Sequence, residues 1–128
     1  MHTRVTFTSE RFRPVLPDES QVNPGVFGAE LAFWLCTELA RLGVVTSYPI
    51  YEDWGWFIEY ITEAEDEYWL CCGNVDGTDT EWMCFLDPKR KGLFAGKAMP
   101  EKAAPLLEAL ARVLAAEPSI RDIQWSAE

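Results

Sequence analysis

The chain has a single histidine, His2, and it stands at the amino terminus. No Ser-His or Cys-His pair can therefore be assembled around a central base. Its four cysteines, Cys36, Cys71, Cys72 and Cys84, form no CxxC pair and fit no common zinc spacing. The expected metal and cofactor sets are empty. There is no GxSxG element, no glycine loop for phosphate and no dinucleotide fingerprint. No catalytic residue is assigned, and an enzyme is the less favoured class. Long apolar runs are also missing; none approaches the ~20 residues that span a bilayer. The start, Met1 to Val5, has no basic region followed by an apolar stretch, so no signal peptide is expected. The location read from this is cytoplasmic, with the cysteines as small buried hydrophobes in a reducing compartment.

The most informative absence is of positive charge. Between Leu42 and Pro88 there is no Lys, Arg or His, while that stretch holds eleven acids. The remainder carries ten acids and eleven bases, so the middle segment supplies the whole of the net charge of −10. Such a chain repels nucleic-acid backbone and favours a basic protein as partner.

What is present suits an ordinary folded domain. The 128 residues, 48 % hydrophobic and 25 % charged, are expected to form one domain over 1–128 with its own core. Arg4–Thr8 alternates as a short strand does. Residues 9–22, with Pro14 and Pro17, read as an extended arm on the surface. Asn23-Pro24 is a helix start, and the helix runs to about Leu42, where Gly43 stops it. Its apolar stripe is Phe27, Leu31, Trp34, Leu35, Leu39 and Leu42, widened by Phe33, Cys36 and Ala40, with Glu30, Glu38 and Arg41 at the wet margin.

Strands are expected at 44–51, 55–62, 67–74 and 80–87, rich in aromatic and β-branched residues. Asp76-Gly77 marks a hairpin between the last two. A second helix is expected from near Glu101 to Ala116, ended by Pro118, and Ile120–Trp125 is the last strand. The order is β-α-β-β-β-β-α-β. The fold class is α+β: two layers, a mostly antiparallel sheet of five to six strands, and both helices on one face.

Alternation separates the two faces of the central strands. Trp56, Ile58, Tyr60, Tyr68, Leu70, Cys72, Trp82, Cys84 and Leu86 carry no charge and are assigned to the core. The opposite set is Phe57, Glu59, Ile61, Glu67, Trp69, Cys71, Glu81, Met83 and Phe85. Apolar rows interleaved with acids suit a protein-binding surface, and Phe57, Glu59, Ile61, Glu67, Trp69, Glu81, Met83 and Phe85 are the candidate contact residues. Two other readings stay open: a homodimer burying this face, and a cover formed by residues 9–22.

Glu52-Asp53-Trp54-Gly55-Trp56 is the densest local feature. Glu52, Asp53 and Trp54 form a candidate ligand corner, since an indole stacks and carboxylates pair with amines or guanidinium groups; a small-molecule binder or carboxylate enzyme would sit here. The competing reading is a tight turn with Gly55 for backbone freedom. Asn74 to Glu81 resembles a calcium loop but lacks the spacing and the closing glutamate, and Asp76-Gly77 is explained by the hairpin. Lys89-Arg90-Lys91, with Lys97, is a local basic spot, read as a solvated turn.

The pattern Gly28-x-x-Leu31-x-x-Trp34-Leu35-x-x-x-Leu39-x-x-x-Gly43, then Glu52-Asp53-Trp54-Gly55-Trp56, then a carboxy-terminal helix before Ile120-x-x-Ile123-x-Trp125, resembles a family of small uncharacterised bacterial α+β domains. It covers most of the chain. The family carries no settled activity, so the resemblance implies a fold and no catalytic residue. In build and charge the chain is also similar to toxin-neutralising immunity proteins, which implies a protein partner.

Overall fold

A computed structural model describes residues 1–89 and 96–127. Six strands are present: β1 (Arg4–Thr8), β2 (Ile50–Glu52), β3 (Gly55–Ile61), β4 (Glu67–Asn74), β5 (Glu81–Pro88) and β6 (Arg121–Ser126). Two helices, α1 (Ala29–Arg41) and α2 (Ala104–Ala116), fall between β1 and β2 and between β5 and β6. The strands form one sheet in the order β2-β3-β4-β5-β1-β6, and every neighbouring pair is antiparallel. The element order and the α+β class are those expected from the sequence. Among the described residues no helix is long and apolar enough to cross a membrane.

Both helices lie on one face. Leu31, Leu35 and Leu39 of α1 and Leu106, Leu110, Val113 and Leu114 of α2 join Val5, Phe7, Ile58, Tyr68, Leu70, Cys72, Trp82, Cys84 and Leu86 in one buried cluster. The β3, β4 and β5 residues in that cluster belong to the charge-free set, so alternation placed the core of the central strands correctly. Cys71 and Cys72 are both buried but face opposite ways: Cys72 joins the helix-side cluster, whereas Cys71 pairs with Phe57 and Phe85.

Several boundaries differ from the sequence reading, each for a local reason. Helix α1 begins at Ala29, not at Asn23. Residues 23–28 are instead a tight lead-in with Gly25 at φ 79° and Gly28 at φ 149°. The Asn74 carboxamide holds this lead-in, accepting from the Phe27 N–H at 3.0 Å and donating to the Gly25 carbonyl at 3.0 Å. Gly28 is required by space as well, since a Cβ there would meet the Cys72 carbonyl oxygen at 2.8 Å. The far end follows expectation. Gly43 (φ 84°) donates to the Ala40 carbonyl and Val44 to the Leu39 carbonyl, the paired bonds of a Schellman stop. The apolar stripe of α1 is narrower than read, because Phe33 and Leu42 are exposed.

The strand expected over 44–51 shrinks to β2, three residues long. Pro49 has no N–H for a ladder, and the Thr46 and Ser47 hydroxyls bond local carbonyls instead. Residues 9–22 are not a cover for the second sheet face. The arm lies on the helix side, where Phe12 is 1 % exposed and packs against Phe7, Trp34 and Trp82. Its flanks are tied by Arg11 to Glu117 at 3.1 Å and by Arg121 to Glu10 at 2.8 Å. At the β4–β5 hairpin Asp76 (φ 49°) and Gly77 (φ 75°) occupy the left-handed region together, as a type I′ turn requires.

Candidate functional site

The strand register brings the second-face residues together row by row. Ile50, Phe57, Cys71, Phe85 and Arg4 form one row across five strands. Glu59, Trp69 and Asp87 form the next, and Ile61 with Glu67 the one beyond. On the other side of the aromatic row lie Glu52, Gly55, Gly73, Met83 and Thr6, and then Glu81 opposite Thr8. Five of the eight contact residues expected from alternation lie on the aromatic row or in the rows beside it, and Ile61 and Glu67 lie one row further out. Glu81 sits apart, exposed at the far end of β5.

Among the described residues no helix covers this face, yet its centre is dry. Phe57 is 3 % exposed because other rings close over it. Trp69 stacks on it with centroids 3.8 Å apart and planes 12° apart. Trp54 reaches down from the β2–β3 turn to lie 6.3 Å from the Phe57 ring and 6.1 Å from that of Phe85. Two cations complete the layer: Lys89 Nζ lies 3.9 Å from the Trp69 centroid and the Arg4 guanidinium 5.5 Å from that of Phe85. The ligand corner and the sheet face are thus one surface, with Trp54 joining them. Trp54 remains 47 % exposed, the one ring of this packed layer among the exposed large hydrophobic side chains.

The turn that carries Trp54 is held firmly. The Asn23 side chain donates to the Asp53 carbonyl at 2.9 Å. Gly55 adopts φ 153°, and a Cβ there would stand 3.2 Å from the Cys72 carbonyl oxygen. The structural demand for Gly55 and the exposure of Trp54 therefore coexist.

Charge on the face is uneven. Strand positions supply five carboxylates, Glu52, Glu59, Glu67, Glu81 and Asp87, against Arg4 and Lys89. Lys89 is committed to Asp87 at 2.7 Å. Among the described residues the other four carboxylates have no ion-pair partner. The Glu67 carboxyl lies close enough to share a proton with Glu59; this, with burial and the Glu67 charge, holds Glu59 above the usual carboxylate range. The Trp69 indole acts weakly the other way. Its buried Nε1 completes no hydrogen bond of good geometry, nor does the buried Nε of Arg4 on the same face.

The remaining sequence candidates have structural employment. Asn74 latches the lead-in to α1 and also donates to the Thr78 carbonyl at 2.8 Å, so the loop with a calcium-like composition is a braced hairpin. Among the described residues no group of three metal-ligating side chains comes together. Of the basic spot, Arg90 and Lys91 lie outside the described residues. An open cleft of about 720 Å³ on the helix side is lined by Arg11, Phe12, Glu30, Trp34, Arg41 and Glu117. Its guanidinium groups are partnered, Arg11 by Glu117 at 3.1 Å and Arg41 by Glu38 at 3.3 Å.

Sequence reasoning missed Arg4, Lys89 and Ile50 as members of the second face. Arg4 and Lys89 have the right parity, but the pairing of β1 with β5, and the bond from the Lys89 N–H to the Glu67 carbonyl that holds Lys89 beside β4 just past the end of β5, are facts of topology. It also missed exposed Val45 and Tyr48 beside Ile50, because 44–51 was read as a regular paired strand. No family model matches the chain, and no curated protein or solved structure is significantly similar to it.

Proposed function

We propose that the chain is a non-enzymatic interaction domain that presents its acidic, aromatic sheet face to a basic protein partner. One observation carries this reading: a row of packed aromatic rings lies on the face that neither helix covers, bordered by Glu52, Glu59, Glu67 and Glu81, which have no ion-pair partner among the described residues. An interface core of aromatic anchors inside a polar rim has this composition. Trp54 is the anchor, since it is half-exposed on a braced turn and loses little freedom on binding.

A homodimer through the same face is less favoured, because each copy brings a net charge of −10 and the same excess of carboxylates. The separate ligand corner is weakened too, since the Trp54 ring rests on Phe57 and Phe85. Four free cysteines, three of them buried, suit a reducing compartment such as the cytoplasm. Neutralising a basic toxin is the form of this role that the similarity to immunity proteins implies.

The test is capture of partners from extract of the source cells on immobilised protein, with mass-spectrometric identification. Basic proteins should be retained at low salt and released as salt rises. Glu59→Lys and Glu81→Lys should each weaken retention while circular dichroism stays unchanged and neither variant melts below the parent. Retention indifferent to salt and to both charge reversals would sink the proposal.

A further inference from the structure

The two edges of the sheet are protected very differently. At the β6 edge, Asp122 sits at φ 55°, the register with β1 shifts between Thr6 and Thr8, and Arg121 is paired with Glu10 at 2.8 Å. A bulge and charges of this kind keep other strands away. The β2 edge has only its shortness and Pro49. Strand β2 pairs with β3 alone, and among the described residues no backbone hydrogen bond joins its outer side to another element. The segment before it is tied to β3 on its inner side, Ser47 donating to the Glu59 carbonyl at 2.9 Å. Its side chains are apolar and open: Tyr48 is 77 % and Val45 73 % exposed, with Ile50 beside them. Phe33 of α1 extends the patch, its ring 6.4 Å from that of Tyr48.

We infer that this edge, residues 44–52, docks an extended lysine- or arginine-bearing segment of the partner by backbone pairing. The inference rests on the proposed binding of a basic protein and adds the mode. Strand addition draws affinity from main-chain bonds and selectivity from alternate side chains. Here Val45, Tyr48 and Ile50 offer apolar contacts, while Glu52, Asp53 and Glu59 border the same edge without an ion-pair partner among the described residues. An incoming strand of alternating apolar and cationic residues satisfies both. A second copy of this chain does not fit. Antiparallel self-pairing about Tyr51 would set Glu52 of each copy diagonal to its counterpart, with no cation on the strand to relieve the pair.

The probe is a blocked peptide of alternating lysine and valine, about ten residues long so that it outspans the edge, titrated into the isotope-labelled full chain and followed by amide NMR. Shifts should be saturable and concentrated at residues 45–53. A glutamate-valine peptide should cause none. Ile50→Lys, at an exposed position, should abolish the shifts with the fold intact by circular dichroism, whereas Glu108→Lys, exposed on α2, should leave them unchanged. Shifts confined to Trp54, Trp69 and Met83 would overturn edge pairing and leave the face as the docking surface. No shift with the lysine peptide, or equal shifts with both peptides, would also overturn it. So would a dimer in light scattering that Ile50→Lys dissociates, since the edge would then belong to a second copy. Charge-sensitive capture by the Glu59 and Glu81 variants is read separately, so either proposal can fail without the other.

Discussion

Trp69 lies flat on Phe57, centroids 3.8 Å apart, with Lys89 Nζ on the Trp69 ring at 3.9 Å. A sheet face without helix cover has in this way built a thin second core from its own side chains. Phe57 at its centre is as buried as residues under the helices. Phe57→Ala should therefore cost about 3 kcal/mol in urea denaturation, the range for a core aromatic. A loss below about 1 kcal/mol, the usual surface value, would mean that the rings do not hold together in solution.

Trp54 has a different balance. Half of it is exposed, so its removal uncovers Phe57 and Phe85 without opening a cavity inside the fold. Trp54→Ala should cost about 1 kcal/mol of stability, within the range for an aromatic pair contact. The same change should reduce partner affinity at least about tenfold if the indole is an interface anchor. Titration calorimetry with the captured partner and urea denaturation together separate the two effects. A stability loss with unchanged affinity would remove Trp54 from the interface.

Two glycines with positive φ should respond unequally to alanine. At Gly43 (φ 84°) a Cβ meets nothing within 4 Å, so only the backbone conformation resists. At Gly28 (φ 149°) the Cβ would also press on the Cys72 carbonyl oxygen at 2.8 Å, and backbone cannot step aside as a flexible side chain would. Gly43→Ala is expected to cost about 1 kcal/mol and Gly28→Ala about 2–3 kcal/mol. Thermal melts of the two variants check the order; equal losses would show that β4 yields at Cys72.

These contacts also mark how far the sequence could be read. Period-2 alternation assigned both faces, and with them the opposite orientations of Cys71 and Cys72, because side-chain direction in a strand is local geometry. The Schellman stop at Gly43 was legible for the same reason. The start of α1 was not. Asn23-Pro24 is a good local cap, but the Phe27 N–H is taken by Asn74, a residue 47 positions away, and the chain does not turn helical until Ala29. The arm misled for a like reason: one buried ring, Phe12, decides which side of the sheet it follows, and nothing around Phe12 in sequence says so. The candidate site was half legible. Its aromatic row followed from alternation, whereas the placement of Trp54 over that row depends on the turn, and Arg4 and Lys89 arrive through strand pairing.

Thiol reactivity should follow burial. Burial raises the Cys71 thiol far above its ordinary range, and hydrogen bonding to Cys84 together with burial does the same to Cys72. Cys36, partly exposed on α1, is raised less severely. In the folded protein Cys36 should react first with Ellman's reagent, and slowly at neutral pH because little thiolate is present. The other thiols should react only as the protein unfolds. Rapid labelling of Cys71 in native buffer would show that the aromatic layer opens readily, since Cys71 lies in the Phe57–Phe85 row.

The Glu59–Glu67 pair gives the fold a pH dependence with a definite sign. Glu59 is held above the usual carboxylate range in the folded chain, first by the shared hydrogen bond with Glu67 and then by burial. The folded state thus binds this proton more tightly than the unfolded state does. Its contribution to stability is fully present below the ordinary glutamate pKa and is lost as pH rises through the raised folded value. Glu59 and Glu67 stand on diagonal positions of adjacent strands, where like charges destabilise a sheet. Glu59→Gln should therefore stabilise the protein at neutral pH by about 0.5 kcal/mol, since the site is partly screened by solvent. The gain should vanish near pH 3, where glutamate is itself neutral and differs little from glutamine. Glu67→Gln removes the same repulsion and should act in the same direction. Urea denaturation across this pH range decides the matter. A Glu59→Gln variant no more stable than the parent at neutral pH would show that the two carboxyls do not meet. The same substitution should weaken capture of a basic partner, so the charge that costs the fold stability is the charge that the proposed interface uses.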